Sequence, residues 1–339
     1  MKRYFISGLQ LSLIFSIFTF FILINTVNAQ EWETKADMVN PRLFFSVSTL
    51  DDEIYVIGGM LADPMDSVEV YNPKTDRWSE RSSLTSPRAG AVSCEVGGKI
   101  YAIGGWDGQN PALGTVEVYN STTDTWTKKA DMPTPRSFFS AVAVDEKIYT
   151  FGGVSMNVGP VLATVEVYDT STDKWEKKAD MPDPRSGMAA AEYRDKIYLI
   201  GGVSGIVGPF VKEVQEYDPN TDTWTKKADI PTPRTALAVS IANAKIYAIG
   251  GAPVVQGPGM TTVEMYNPLT DTWEESTDMP TARVFLGAGT ANGKIYAIGG
   301  VVEGLGPQIL NTVEEFTADS LNVAALDKYL TFWGKIKVR

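Results

Sequence analysis

The amino-acid sequence predicts an all-β protein, a six-bladed β-propeller of four-stranded blades. A Gly-Gly pair recurs six times at intervals of 46 to 49 residues, at Gly58-Gly59, Gly104-Gly105, Gly152-Gly153, Gly201-Gly202, Gly250-Gly251 and Gly299-Gly300. Each pair ends a run such as Lys-Ile-Tyr-Ala-Ile, and a Val-Glu-Val-Tyr-like run follows it. A fixed period near 50 residues indicates one supersecondary unit used six times.

The third unit, residues 136–178, shows the four strands in order. Residues 137–144 form an apolar run, which is typical of a strand buried on both faces. Residues 147–151 and then 164–168 alternate with period two, and the more polar residues 173–178 follow a short turn. Tight turns between successive strands predict antiparallel pairing. Because polarity rises from the first strand to the fourth, we expect the first strand to be innermost.

The two ends of the repeat predict how the ring closes. The sixth unit has a third strand near residues 313–316 but no Trp strand after it, whereas residues 31–36 form a fourth strand without a unit. We expect the N-terminal strand to complete the last blade and so remove an open sheet edge. The predicted domains are a signal peptide at 1–29, a propeller at 30–318 and a tail at 319–339. The predicted blades cover 42–81, 88–129, 136–178, 185–227, 234–276, and 283–316 plus 31–36.

This pattern of paired glycines, Val-Glu-x-Tyr and a spaced Trp resembles the kelch repeat, over residues 32–316 and all six units. The resemblance implies a propeller of the galactose oxidase and kelch superfamily, similar to exported bacterial kelch-repeat proteins. We expect the glycines to allow positive φ and close backbone approach at the end of the second strand. The repeated aromatic residues should fill the wedges between blades. These structural tryptophans are Trp32, Trp78, Trp126, Trp175, Trp224 and Trp273.

The composition excludes several classes of chemistry. The chain contains no histidine, which excludes Ser-His-Asp triads, Cys-His pairs and His-ligated metals. The single cysteine, Cys94, lies in an apolar run and is expected to be a buried, inert thiol. We expect no metal site, no cofactor and no catalytic residue.

The N-terminal segment has the features of a secretory signal peptide. Lys2 and Arg3 precede an apolar run, and Ala29 offers a small residue for cleavage. An uncleaved membrane anchor is the alternative. We expect a periplasmic or extracellular protein, a monomer that contacts a membrane only if this segment is retained. The net charge of −11 disfavours nucleic acid as a partner.

An arginine opens the first strand of every unit, and these residues are the first candidate binding site. They are Arg42, Arg88, Arg136, Arg185, Arg234 and Arg283. Since the first strand is innermost, they predict a ring of guanidinium groups near the axis, suited to carboxylate or phosphate. The alternative is that each arginine bonds loop carbonyls or a loop aspartate. Glutamates repeated on the third strands, with Gln215 as the exception, indicate bonding within the scaffold.

The loops after the second strands are the second candidate site. Several carry Gly-Pro with apolar neighbours, and Trp106 and Phe210 are the aromatic candidates for an exposed anchor. Packing of these loops on one another is the alternative.

The sequence favours a non-catalytic, exported scaffold that binds a protein or peptide, with acidic ones among the candidates, through the face formed by the loops before strand one and after strand two. The alternative is an enzyme like N-acetylneuraminate epimerase, or a lectin-like protein, with an acidic carbohydrate in the arginine-lined axial pocket. The role of residues 319–339 stays open between a capping segment and a docking or sorting segment.

Overall fold

Twenty-four β-strands form six antiparallel sheets of four strands each. They belong to a computed structural model that describes residues 31–155, 160–205, 208–254, 257–304, 306 and 308–318. The described residues contain no helix, and none could therefore span a membrane as a helix. The predicted all-β, six-bladed propeller is confirmed. The signal peptide and the tail lie outside the described residues.

Each blade uses four strands that follow one another along the chain, apart from the last blade. Blade 1 contains β2 (Ser46–Leu50), β3 (Glu53–Ile57), β4 (Val68–Asn72) and β5 (Arg77–Arg81). Blade 2 contains β6 (Val92–Val96), β7 (Lys99–Ile103), β8 (Val116–Asn120) and β9 (Thr125–Lys129). Blade 3 contains β10 (Ser140–Val144), β11 (Lys147–Phe151), β12 (Val165–Asp169) and β13 (Lys174–Lys177). Blade 4 contains β14 (Ala189–Tyr193), β15 (Lys196–Ile200), β16 (Val214–Asp218) and β17 (Thr223–Lys227). Blade 5 contains β18 (Ala238–Ala242), β19 (Lys245–Ile249), β20 (Val263–Asn267) and β21 (Thr272–Glu275). Blade 6 contains β22 (Gly287–Ala291), β23 (Lys294–Ile298), β24 (Val313–Phe316) and β1 (Trp32–Lys35).

The N-terminal strand closes the ring as expected. β1 pairs antiparallel with β24, with Trp32 opposite Phe316 and Lys35 opposite Val313. The Trp32 ring lies 4.9 Å from the Phe316 ring, and its Nε1 donates to the Thr277 carbonyl of blade 5 at 2.9 Å. The first and last described strands therefore share one sheet, which leaves no blade incomplete.

The hydrophobic core lies between blades. One cluster joins Tyr101 and Ile103 of blade 2 to Ile148 and Tyr168 of blade 3, and five further clusters repeat this arrangement around the ring. Aromatic residues of the third and fourth strands fill these wedges, as the ring contact of Tyr168 with Trp175 at 5.1 Å shows.

A hydrogen-bonded latch also joins successive blades. Asp124 of blade 2 accepts from the Tyr119 hydroxyl at 2.6 Å and from the Ser82 N–H at the exit of blade 1. The Trp126 Nε1 donates to the Ser82 carbonyl at 2.8 Å. Blade 2 thus holds both backbone polar groups of one residue at the end of the outer strand of blade 1. The same latch recurs through Asp76, Asp173, Asp222 and Asp271.

The paired glycines bring neighbouring backbones together. Gly152 and Gly153 have φ values of 59° and 91°. The Gly153 N–H donates to the Arg185 carbonyl of the next blade at 2.8 Å, and a Cβ on Gly152 would lie 2.3 Å from that carbonyl oxygen. A side chain there would clash with the backbone, so only glycine fits where the backbones of neighbouring blades are hydrogen-bonded.

The first strands of neighbouring blades contact one another around the axis. At the entrance to these strands, five backbone hydrogen bonds of 2.8 to 3.0 Å connect six equivalent residues in succession. All six have positive φ between 52° and 62°. They are Phe44, Gly90, Phe138, Gly187, Ala236 and Phe285. We call the end of the propeller that carries this ring of residues, together with the loops before the first strands and after the second strands, the loop face.

Candidate functional site

The six repeated arginines are buried inside the blades. Each is 0 or 1% exposed, and together they are among the largest fully buried side chains of the described residues. In blade 3, Arg136 Nη1 donates to the carbonyls of Gly152 and Thr164 at 3.1 and 2.8 Å, and Nη2 pairs with Glu166. The arginine therefore holds the end of the second strand and the start of the third strand of its own blade together.

Four other blades repeat this ion pair with the glutamate of the third strand. The pairs are Arg42–Glu69, Arg88–Glu117, Arg234–Glu264 and Arg283–Glu314. Loop groups complete the carboxylate's partners, as when the Thr134 and Thr232 hydroxyls donate to Glu166 and Glu264 at 2.8 Å. Burial lowers the pKa of each arginine by removing its charge from water, and the paired carboxylate opposes that shift.

Blade 4 departs from this arrangement. Gln215 stands where the other blades have glutamate, and Glu213 stands where they have Thr or Ser. Arg185 donates from Nη1 to the Glu213 carbonyl at 2.8 Å, and its Nη2 lies 3.7 Å from the Glu213 carboxylate, which is 37% exposed. Arg185 Nε and Nη2 and Gln215 Oε1 are buried without a hydrogen-bond partner among the described residues. Blade 4 thus contains the least satisfied of the six arginines.

These positions correct the expectation of a ligand-binding arginine ring. No one of the six guanidinium groups reaches the surface, because each lies between the second and third strands of its blade rather than on the axis. The alternative interpretation was that each arginine bonds loop carbonyls or a loop aspartate. The arginines do bond carbonyls at the loop ends, but in five blades their acidic partner is the third-strand glutamate and not a loop aspartate.

The axis instead contains two cavities lined by the first strands of all six blades. Their volumes are about 230 and 460 Å³. The smaller one lies next to the loop face, and no charged residue is among those lining it. The larger one extends toward the opposite face and includes Ser, Thr and two carboxylates, Glu95 and Glu192. Each carboxylate also accepts a hydrogen bond from a turn N–H, of Gly98 and Asp195.

Three phenylalanines meet at the loop-face end of the axis. The Phe44 ring lies 5.0 Å from Phe138 and 4.4 Å from Phe285, both in edge-on geometry, and all three side chains are half-buried. The equivalent residues of the other blades are Gly90, Gly187 and Ala236. The aromatic cluster therefore covers the axis from blades 1, 3 and 6, and leaves the sides of blades 2, 4 and 5 without an aromatic ring.

A family model decides how this propeller is classified. The model of the KLHDC2/KLHL20/DRC7 Kelch-repeats domain matches residues 44–251 and 129–300. The chain belongs to the kelch-repeat family. The predicted resemblance is thereby confirmed on sequence as well as on fold.

Relatives that are similar in sequence align with short parts of this kelch propeller. Beta-scruin of Limulus polyphemus is 33% identical over 82 residues, 24% of this chain and 9% of that protein. Kelch-like protein 33 of Homo sapiens is 32% identical over 87 residues, 25% of this chain and 16% of that protein. The chain thus aligns with less than a fifth of the length of these relatives. The solved structure of YjhT has a TM-score of 0.74 at 18% identity, covers 85% of this chain and 98% of its own, and shows the shared fold.

The kelch loops place Trp106 and Phe210 at different positions of the loop face. Trp106 follows the Gly-Gly pair of blade 2, forms a backbone bridge with Ala89 and is half-buried. Phe210 of blade 4 bridges Val203 after the cis peptide bond between Gly208 and Pro209, and is also half-buried. Neither side chain stands fully free as an anchor, and neither is enclosed in the core.

The loops after the second strands both pack and remain exposed. Ile309 packs beside Val284 and Val301, and the loops of blades 5 and 6 are joined by backbone hydrogen bonds such as Gly259 N–H to the Val302 carbonyl at 2.7 Å. In contrast, Val254 is 49% exposed. The two expectations for these apolar loops, packing and exposure, thus apply to different residues.

Phe44, Phe138 and Phe285 are functional candidates that the sequence patterns did not indicate. Their signal is present, because each lies two residues after the repeated arginine, where other blades have Gly or Ala. The positive φ that turns these rings toward the axis could not be predicted from the residue type, because phenylalanine rarely adopts positive φ. Among the residues that the structure describes, no group of three or more His, Cys, Asp or Glu side chains could hold a metal ion.

Proposed function

We propose that this kelch propeller is a non-catalytic, exported scaffold that binds a protein or peptide through its loop face. The observation that carries the proposal is the half-buried cluster of Phe44, Phe138 and Phe285 at the centre of that face. Aromatic residues that remain partly exposed near the centre of a surface are the usual anchors of protein interfaces.

The surroundings of the cluster support a macromolecular ligand. Val39, Leu61 and Val254 belong to loops of the same face and are 58, 47 and 49% exposed. Apolar side chains grouped on one face of a soluble protein mark binding surfaces. Kelch domains generally bind protein partners, which favours a protein or peptide over a small molecule.

The acidic carbohydrate alternative loses its main support. It depended on guanidinium groups in the axial pocket, whereas the described residues that line the two axial cavities include no arginine or lysine. A sugar carboxylate would meet Glu95 and Glu192 in the larger cavity, and like charges repel. We therefore retain the binding scaffold as the proposal.

Export is the second part of the proposal and depends on residues 1–29. The apolar run behind Lys2 and Arg3 supports it, together with the small residue Ala29. The test is to express the whole chain in a bacterial host, fractionate the cells, and measure the intact mass of the folded protein. A chain beginning at Gln30 in the exported fraction is expected. A full-length chain in the cytoplasm would refute export.

Binding is tested by selecting peptides from a randomised phage library on the immobilised protein. The affinity of an enriched peptide is then measured by fluorescence anisotropy for the wild type and for Phe138→Gly. Glycine is the residue of blades 2 and 4 at this position, so the backbone conformation is preserved. We expect the variant to bind at least about tenfold more weakly.

Leu269→Ser provides the matched control. Leu269 is 62% exposed and lies on a turn between a third and a fourth strand, on the opposite face. It should leave the affinity unchanged. The proposal fails if Leu269→Ser weakens binding as much as Phe138→Gly does, or if no peptide is enriched.

A further inference from the structure

We propose that the partner is cationic, and that it docks on blade 1 with a segment that combines basic and aliphatic side chains. This inference rests on the proposed binding function and adds the place and the chemistry of the partner. The docking surface, which we call the blade 1 patch, consists of Asp37, Val39, Leu61, Asp63 and Asp66.

Two segments of the loop face form this patch. Residues 37–41 lead from β1 into blade 1, and the Val39 N–H and the Asn40 side-chain amide donate to the carboxylate of Glu69 at 2.8 and 3.0 Å. Asp66 lies three residues before Glu69, and its carbonyl accepts from the Leu84 N–H at 2.9 Å. Both segments are therefore anchored at the start of the third strand of blade 1.

The patch is held in place by its backbone. Met38 N–H donates to the Asn311 carbonyl of blade 6 at 2.8 Å, and Met65 N–H donates to the Gly59 carbonyl at 2.8 Å. The Met38 side chain is 2% exposed and belongs to the core. Val39 and Leu61 are thus exposed on anchored loops, and a partner would meet them with little ordering cost.

The acids of the patch have no cationic partner of their own. Asp37, Asp63 and Asp66 are exposed, and within the described chain their carboxylates make no ion pair and no hydrogen bond. Burial lowers the pKa of Arg283, and Asp37 opposes this shift less than Glu314 does; that arginine is buried and already paired with Glu314. The neighbouring Asp107 of blade 2 is bonded to Gln109 and Asn110, again without a cation.

Other parts of the loop face differ. Asp131, Asp180 and Asp229 each lie 3.2 Å from a lysine, namely Lys128, Lys177 and Lys212. The ten residues of the second-to-third-strand loops that lie outside the described part carry no charge in the sequence. Asp183 and Glu303 of this face are also exposed without an ion pair among the described residues, but the blade 1 patch places three such carboxylates on loops that also expose two aliphatic side chains.

This combination selects the partner by charge complementarity. A basic side chain gains from three nearby carboxylates, whereas an acidic partner would be repelled by them and by the net charge of −11. Val39 and Leu61 supply the apolar contact area that holds the complex after encounter. The expectation of an acidic partner depended on the arginines, which are buried.

The test uses the phage selection described above, with the sequences of the enriched peptides as the first readout. We expect them to be rich in Lys or Arg beside Leu, Ile or Val. One enriched peptide is then measured by fluorescence anisotropy against Asp37→Asn/Asp63→Asn/Asp66→Asn and against Val39→Ser/Leu61→Ser. Each variant should bind about tenfold more weakly or worse, and the affinity of the wild type should fall as salt is added.

Asp131→Asn/Asp180→Asn is the matched control, because it removes loop-face carboxylates that already have a lysine partner. It should bind within about twofold of the wild type, since exposed pairs contribute little. Neutral or acidic enriched peptides, or equal losses in the patch and control variants, would overturn the inference and leave loop-face binding intact. If no peptide is enriched, both the inference and the proposed function are rejected.

Discussion

Blade 4 offers a direct test of what the buried arginines do. The double variant Glu213→Thr/Gln215→Glu gives blade 4 the Thr-Val-Glu pattern of blades 2, 3, 5 and 6, and it moves one carboxylate by two residues without changing the net charge. In the wild type, Arg185 makes one hydrogen bond within the described structure; its Nε and Nη2 have no hydrogen-bond partner, and Nη2 makes only a long ion pair of 3.7 Å with the partly exposed Glu213 carboxylate. The variant places a carboxylate opposite Nη2, as in blade 3.

The magnitude follows from the groups that become satisfied. A buried polar group without a partner costs about 1–3 kcal/mol, and more when it is charged. The variant removes the Glu213 carboxylate, which pairs with Lys226 at 2.8 Å and lies 3.7 Å from Arg185 Nη2. Because this carboxylate is 37% exposed, its loss costs less than about 1 kcal/mol. The net gain in the free energy of unfolding is therefore about 1–3 kcal/mol. For a domain of this size, each kcal/mol raises Tm by about 2 °C.

The assay is urea unfolding followed by tryptophan fluorescence, with thermal unfolding as a second measurement. The reverse change in blade 3, Thr164→Glu/Glu166→Gln, is the matched control and should lower the free energy of unfolding by about 1–3 kcal/mol. A variant of blade 4 that is no more stable than the wild type, beside a destabilised blade 3 variant, would refute the argument that Arg185 lacks partners. If neither variant changes stability, the arginine–glutamate pairs do not stabilise the blades.

Three further predictions follow from the blade contacts. Deletion of the residues before Asn40 removes β1 and should lower the free energy of unfolding by at least about 3 kcal/mol, measured by urea unfolding, since it removes the partly buried Trp32 together with the pairing of β1 with β24; equal stability would disprove closure by β1. The hydrogen bonds from the Tyr119 hydroxyl and the Ser82 N–H lower the pKa of Asp124 in the folded protein. The contribution of Asp124 to the free energy of unfolding is therefore complete above its unfolded pKa of 3.8 and is lost as pH falls through its folded pKa. Asp124→Asn should therefore destabilise the protein at neutral pH and by less at acidic pH, and a pH-independent difference would contradict this. Burial raises the pKa of the Cys94 thiol to about 12, so it should react with a thiol reagent only after unfolding; rapid reaction in the native state would show that the strand opens.

The sequence was sufficient for the architecture because the same physical demands recur in every blade. The glycines are needed where the next blade's arginine carbonyl approaches, and the alternating second and third strands require a buried and a less buried side. Closure by β1 also followed from simple strand counting. Each of these features has a direct marker in residue type or spacing.

The site was harder to predict because residue type alone does not say where a side chain points. The arginine and the glutamate of one blade lie about thirty positions apart, for example Arg136 and Glu166, and each was visible as a repeat. Their pairing becomes evident only in the folded blade, where the arginine contacts both the end of the second strand and the glutamate of the third strand. A useful signal was present in blade 4, where Gln215 and Glu213 change together, as two residues that share one arginine would.

A repeated scaffold therefore separates structural from functional residues by their exposure as well as by their repetition. The arginines, glutamates, glycines and tryptophans recur in nearly every blade, and their contacts lie within or between blades. The position two residues after the arginine behaves differently: its backbone conformation is constant, with φ near 55° in all six blades, whereas its side chain is Phe in three and Gly or Ala in the others. Structure requires that backbone conformation but not an aromatic ring. The identity of Phe44, Phe138 and Phe285 is thus not fixed by the fold, and these rings make the loop face of a six-fold frame asymmetric.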